Sequence, residues 1–211
     1  VGRGGMKLAH ALAVFGVDVR GRVAVDLGAS TGGFTDCLLQ AGAGRVYAVD
    51  AGHGQLAWSL RTDARGVCLE GVNARHLTPE QVGGPRDLVT VDLAFISLRL
   101  VWRAIADLLS DRGVVIALVK PQFEAGRDRV GRGGVVRDPA VHREVLGSVL
   151  DAARAAGLIA RRVTPSPVTG PAGNLEYLVC LSRGTGPGVT PAELDAVVAE
   201  AHRGGPRKGQ P

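Results

Sequence analysis

The chain has 211 residues, 45% of them hydrophobic and 21% charged, and a formal net charge of +5. That length suits a single α/β domain with a substantial core, and the ordinary balance of apolar and charged residues is that of a globular protein. The longest apolar run, Val114 to Val119, is strand length and far below the roughly 18 residues of a membrane span. Three widely spaced cysteines, Cys37, Cys68 and Cys180, lack C-x-x-C spacing. No secretory leader is read in the sequence, so the expectation is a reducing cytoplasm, with no membrane and no metal. The basic balance favours a polyanionic partner.

The chain opens at Val1 without a methionine and reads as the middle of something longer. Leu8, Ala11, Leu12 and Phe15 recur at helical spacing, which predicts an amphipathic helix from Met6 to near Gly16. Lys7 falls in its first turn, where the helix dipole disfavours a cation.

A strand, Val23 to Leu27, then runs through Asp26 into the small-residue turn Gly28-Ala29-Ser30-Thr31-Gly32-Gly33 and a helix from Phe34 to Gln40. Glycines let the backbone turn sharply and a ligand approach closely. Ser30, Thr31 and Thr35 are candidate caps. Gly28 to Gly32 is one residue too long for G-x-G-x-x-G, so a dinucleotide fingerprint matches poorly. A second strand, Arg45 to Asp50, ends in an acid where doubly wound folds place a ribose-binding carboxylate. Asp26 and Asp50 together fit S-adenosylmethionine, the first near its amino-acid end and the second on its ribose.

Gly52 to Gln55 opens a helix through Leu56, Trp58 and Leu60. His53 is a candidate for the ribose pocket or a plain cap, and Trp58 for the adenine or the core. Gly66 to Leu69 is a third strand, and Asn73 lies where such folds bring a polar side chain to the adenine ring. Asp87 to Asp92 is the fourth, followed by a helix from Ser97 to Leu109. Gly113 to Val119 has the continuous apolar pattern of a central parallel strand and stops at Lys120-Pro121. Strands alternating with helices imply right-handed βαβ units, whose ligands bind beyond the carboxyl ends of the strands. Asp26, Asp50, Asp92 and Lys120 occupy those ends.

Phe123 to Asp138 is rich in glycine and arginine and is predicted to be a mobile loop over the pocket rim, with Arg127, Arg129 and Arg132 gripping phosphates. A helix from Ala140 to Ala156 and a strand from Leu158 to Val163 follow. A last strand, Asn174 to Leu181, placed antiparallel, would bring Glu176 to the same sheet edge. The segment from Gly184 holds one helix, Pro191 to His202, and a disordered end.

Of 25 basic residues only three are lysine: Lys7, Lys120 and Lys208. Arginine keeps its proton in proteins whereas lysine can release it, a reason for chemistry to require lysine at the first two positions. The order Lys7, Asp92, Lys120, Glu176 resembles the K-D-K-E tetrad of the FtsJ-like ribose 2′-O-methyltransferases. Within that group the chain resembles the TlyA (haemolysin A) type that acts on ribosomal RNA. The matching stretches are Arg3 to Leu8, Asp26 to Asp36 (DLGASTGGFTD), Asp92 to Leu98, Lys120 to Glu124 and Gly173 to Glu176. The likeness reaches about Arg183. It departs at Gly2 and Ala94, where serine is usual.

The resemblance implies a Rossmann-like class I S-adenosylmethionine-dependent methyltransferase fold, α/β, with a mostly parallel seven-stranded sheet and the last strand antiparallel. It divides the chain into a methyltransferase domain, 1–183, and a C-terminal helix and flexible tail, 184–211. It implies a missing N-terminal S4-type RNA-binding domain, and ribosomal RNA or ribosomal subunits as partners. The cofactor would contact Asp26, Gly28, Ala29, Ser30, Thr31, Gly32, Gly33, Phe34, Thr35, Asp50, Asn73 and Asp92. Lys120 would steer and deprotonate the ribose hydroxyl of a cytidine, Lys7, Asp92 and Glu176 would complete the tetrad, and Arg3 would join the loop arginines on RNA. Three rival readings fit less well. A base amino-methyltransferase would carry Asn/Asp-Pro-Pro-Tyr after the fourth strand, a membrane-active haemolysin needs a span or a cationic amphipathic helix, and the tetrad argues against an inactive RNA-binding module.

Overall fold

The computed structural model describes residues 2–204. Helix α1 (Arg3–Phe15) precedes strand β1 (Val23–Leu27), α2 (Gly33–Gln40), β2 (Arg45–Asp50), a one-turn α3 (Trp58–Arg61) and β3 (Gly66–Glu70). Then come β4 (Arg86–Val91), α4 (Trp102–Leu108), β5 (Leu109–Val119), a short α5 (Pro121–Glu124), α6 (Pro139–Ala155), β6 (Leu158–Pro165), β7 (Tyr177–Arg183) and α7 (Pro191–Arg203). One seven-stranded sheet runs in the order β3-β2-β1-β4-β5-β7-β6. Its first five members pair in parallel, and β7 runs antiparallel to both β5 and β6. This is the Rossmann-like arrangement of class I methyltransferases.

Alternation along the strands builds two apolar layers. Val115, Ala117 and Val119 of β5 face Trp102 and Ile105 of α4, Val145 and Val149 of α6, and Leu194 and Val198 of α7. Ile116 and Leu118 face the other way, toward Leu8 and Phe15 of α1 and Phe34 and Leu38 of α2. Each such side chain removed from water contributes about 1.5–3 kcal/mol. Helix α7 buries Leu194, Val197, Val198 and Ala201 in the same layer as α6, so it packs onto the domain instead of trailing from it. The disordered end expected after it lies outside the described residues.

Even-numbered positions of β1, β2, β4, β5 and β7 all face α1 and α2, as Ala24, Ala48, Leu88, Ile116 and Leu178 show. Asp26, Asp50, Asp92, Lys120 and Glu176 share that parity at or just beyond the strand ends, which directs them to the same side of the sheet.

Several local expectations are corrected. Helix α1 begins at Arg3, not Met6, so Lys7 lies in its second turn. The helix expected from Ser97 opens as a 3-10 turn, Leu98–Leu100, and becomes α-helical at Trp102. The long helix expected through Trp58 is one turn, and Trp58 is 76% exposed, neither core nor on the cavity. The glycine- and arginine-rich segment is structured: α5 and a 3-10 turn, Arg127–Arg129, precede a tight turn between Gly131 and Val135, and Val136 enters the core.

Candidate active site

The turn after β1 is shaped by one unavoidable glycine. Gly28 has φ +83, and a Cβ on it would stand 2.5 Å from the backbone oxygen of Asp92, so the exits of the neighbouring strands β1 and β4 touch at this point. Ser30 adopts the left-handed region at φ 50. Its amide donates to Asp50 Oδ2 at 2.7 Å, while the Gly52 amide donates to Oδ1 of the same carboxylate at 2.7 Å. Asp50 thus gathers the loops after β1 and β2 around itself. Gly33, by contrast, serves helix packing, since its added Cβ would lie 3.2 Å from Gly4 of α1.

A cavity of about 420 Å³ opens beyond the ends of β1, β2 and β4. Of the residues expected at the cofactor, Gly28, Ser30, Asp50, Asn73 and Asp92 line it. Val72, Leu93 and Ile96 supply apolar wall, Gln55 a polar amide and Phe95 an aromatic ring; these five were missed. The nearest sequence signal for Phe95 is an aromatic residue three positions past a strand-end acid. Ala29, Thr31, Gly32, Gly33, Phe34 and Thr35 do not line the cavity and form the turn and helix behind it. His53 stands over Gly71 instead of lining the cavity. The volume falls within the roughly 300–1,000 Å³ typical of small-molecule sites. A half-buried carboxylate flanked by apolar wall suits a ribose and base, so the residues present fit an adenosine-bearing cofactor.

Asp26 is not at the cavity surface. It is fully buried, accepting from Thr35 Oγ1 at 2.7 Å and from Thr90 Oγ1 at 2.9 Å. Burial pushes its carboxyl up to about 7, and the two hydroxyls oppose that rise. Thr35 is therefore committed to Asp26 and does not cap α2. The N-cap is Gly32, and no side chain caps that helix, so the capping role read for Ser30, Thr31 and Thr35 is not realised.

The predicted lysines and acids form two ion pairs. Lys7, reaching from α1, lies 2.5 Å from Glu176 Oε2, with side chains 8% and 1% exposed. Lys120 Nζ lies 2.6 Å from Asp92 Oδ1. Lys120 follows Val119 and Glu176 precedes Tyr177, and those two residues face each other in the β5–β7 ladder. The antiparallel β7 is therefore what places Glu176 beside Lys120. Asp92 belongs both to the second ion pair and to the cavity wall, which joins the pocket to the charged cluster.

Phe95, with φ 63 and 92% exposed, stands at the rim with its ring 5.1 Å from that of Phe123. Lys120 Nζ sits 5.9 Å from the Phe123 ring. The loop carrying Phe95 is anchored by Glu124, which accepts from Ser97 Oγ at 2.6 Å and from the Leu98 amide at 2.8 Å. Burial pushes the Glu124 carboxyl up despite those donors. Sequence reading gave Glu124 no role.

The arginines are dispersed. Arg3 donates to the Thr169 carbonyl at 2.6 Å. Arg129 pairs with Glu144 of α6 at 2.6 Å, and none of Arg127, Arg129 and Arg132 lines the cavity, so this segment does not cover the pocket as expected. Cys37 and Cys180 are buried, and burial pushes each thiol up to about 11. Among the described residues no cluster of His, Cys, Asp or Glu could hold a metal, and no helix is long and apolar enough to cross a membrane.

A family model described as "FtsJ-like methyltransferase" matches residues 1–183. The chain is 47% identical over 206 residues to the 16S/23S rRNA (cytidine-2′-O)-methyltransferase TlyA of Mycobacterium tuberculosis, covering 98% of this chain and 77% of that protein. A solved structure from Streptococcus thermophilus, provisionally described as a hemolysin, is 45% identical with a TM-score of 0.92, covering 96% of this chain and 74% of that one. An S-adenosylmethionine-dependent methyltransferase from Mesorhizobium loti, 20% identical, aligns with a TM-score of 0.62 over 86% of this chain and all of its own, a likeness of fold alone.

Proposed function

The chain belongs to the FtsJ-like methyltransferase family, and from that premise we propose that it methylates a ribose 2′-hydroxyl of ribosomal RNA, on cytidine, using S-adenosylmethionine. One observation carries the reading: Asp92 walls the cavity and pairs with Lys120, so a methyl donor in the cavity and a hydroxyl at the lysine would meet at one carboxylate.

S-adenosylmethionine supplies an activated methyl group on a sulfonium. The chain's residues do the rest. Asp50 and Asn73 hold the nucleoside end, and Asp92 fixes the Lys120 side chain at the boundary between pocket and acceptor. Lys120, in its neutral amine form, steers the 2′-hydroxyl and takes its proton as the new C–O bond forms and the C–S bond breaks. Lys7 and Glu176 neutralise each other and complete the acceptor side. Alignment of two held reactants is worth at most roughly 7–11 kcal/mol, and the rigid anchoring of these groups serves that end.

Several features suit an RNA acceptor. The net charge of +5 favours a phosphate backbone. The exposed Phe95 ring beside Phe123 offers a stacking surface, and such stacking is worth about 1–3 kcal/mol per base. A ribosomal RNA substrate places the enzyme's work in the cytoplasm.

Methyl transfer from labelled cofactor to ribosomal RNA, followed by mapping of alkali-resistant linkages, tests the proposal, because ribose methylation blocks cleavage at that linkage. Label confined to bases would overturn it. Lys120→Arg keeps the charge but cannot give up its proton, so it is expected to bind cofactor normally and lose transfer. Near-normal turnover in that variant would remove Lys120 as the base.

A further inference from the structure

The motif that carries Lys120 continues as Pro121-Gln122-Phe123-Glu124, and Gln122 has so far been given no task. Its Nε2 donates to Glu176 Oε1 at 3.4 Å, while Lys7 holds the other oxygen of that carboxylate. Its Oε1 is enclosed and has no hydrogen-bond partner. Turning the amide over would set that oxygen against the carboxylate, so Glu176 itself dictates which end faces it. A buried carbonyl oxygen without a donor costs about 1–3 kcal/mol. The amide, two residues past Lys120, is thus held by the Glu176 carboxylate even though its own oxygen goes without a donor.

We propose that Gln122 is a positioning residue of the transfer site. Its amide N–H holds the Glu176 carboxylate in register with Lys7. As the C–O bond forms and the C–S bond breaks, the proton leaves for Lys120 in its neutral amine form, and Gln122 takes none. The inference rests on the ribose-methylation reading above.

The test uses two variants of the full chain. Gln122→Met keeps length and volume but neither donates nor accepts; kcat/KM for RNA is expected to fall at least tenfold, with cofactor affinity within twofold of wild type. Gln122→Glu keeps the shape and accepts, but donates to Glu176 only when its own carboxyl is protonated. Its deficit relative to wild type is therefore expected to shrink as pH falls from about 9 to about 6, a trend that loss of packing would not produce. A Met variant within twofold of wild type, or a Glu variant whose deficit ignores pH, overturns the role of Gln122. Wild-type protein that places no methyl on ribose would overturn the function reading instead, so the two failures are distinguishable.

Discussion

Replacing Lys7 by methionine tests whether the Lys7–Glu176 pair is a closed unit. The two side chains are 8% and 1% exposed at 2.5 Å, and the remaining partner of Glu176 is the Gln122 amide at 3.4 Å. Lys7→Met therefore strands a carboxylate away from water, a change that costs about 3–5 kcal/mol when one member of a buried pair is removed. For a chain of this size 1 kcal/mol moves the melting temperature by about 2–4 °C, so a drop of roughly 6–20 °C is expected. Glu176→Gln should destabilise as well, because it leaves the ammonium without its counter-charge. The double variant removes both charges and is expected within about 1 kcal/mol of wild type, since a buried pair is often neutral relative to uncharged groups of like volume. Urea unfolding of all four proteins closes the cycle, with an expected coupling of about 3 kcal/mol. Methyl transfer should be lost in both single variants and in the double, which separates the chemistry of the pair from its structural part. Single costs that simply add, with coupling below about 0.5 kcal/mol, would refute the argument.

Gly28→Ala would force a Cβ to within 2.5 Å of the Asp92 carbonyl at φ +83; a left-handed non-glycine residue costs about 1–2 kcal/mol before the clash is counted. Calorimetric titration with S-adenosylmethionine is expected to show at least a tenfold loss, and affinity within twofold of wild type would discard the proposed cofactor role of this turn. Burial raises the Asp26 carboxyl from 3.8 to about 7 in the folded state, so the native protein binds the extra proton between those values. The associated stability is fully present below pH 4 and is lost as pH rises toward 7. Asp26→Asn is expected to lack this decline, so urea midpoints of variant and wild type should diverge between about pH 4 and pH 7; parallel curves over that range would contradict it. Arg127 and Arg132 are exposed, and among the described residues neither is ion-paired, whereas Arg129 is held by Glu144. Arg127→Ala and Arg132→Ala should each lower the salt-dependence slope of RNA binding by about 1, and Arg129→Ala by less; equal slopes in all three would rule out phosphate contacts there.

Much of the molecule was legible from local pattern. The apolar run from Val114 to Val119, the acids closing β1, β2 and β4, and the glycine turn after Asp26 are written in residue type and spacing, because strand length, alternation and left-handed turns are local properties. The positions of Lys7, Asp92, Lys120 and Glu176 along the chain were legible too, and so was the antiparallel return of β7. What the chain alone could not disclose depends on which neighbour occupies a given space. Asp26 resembles Asp50 as a strand-end acid, yet it is sealed under Thr35 and Thr90 while Asp50 opens to the cavity, because Asp26 stands one residue inside the end of β1 and Asp50 is the last residue of β2. Trp58 and Phe95 stand in solvent although both are large and apolar, since neither short loop brings a second layer over them. Arg129 is turned toward α6 by Glu144, a residue fifteen positions away on another element. Parity along each strand sends the acids and lysines to a common side. Only the docking of α1 on that side brings Lys7 to Glu176 across 169 positions, a contact that no local rule contains.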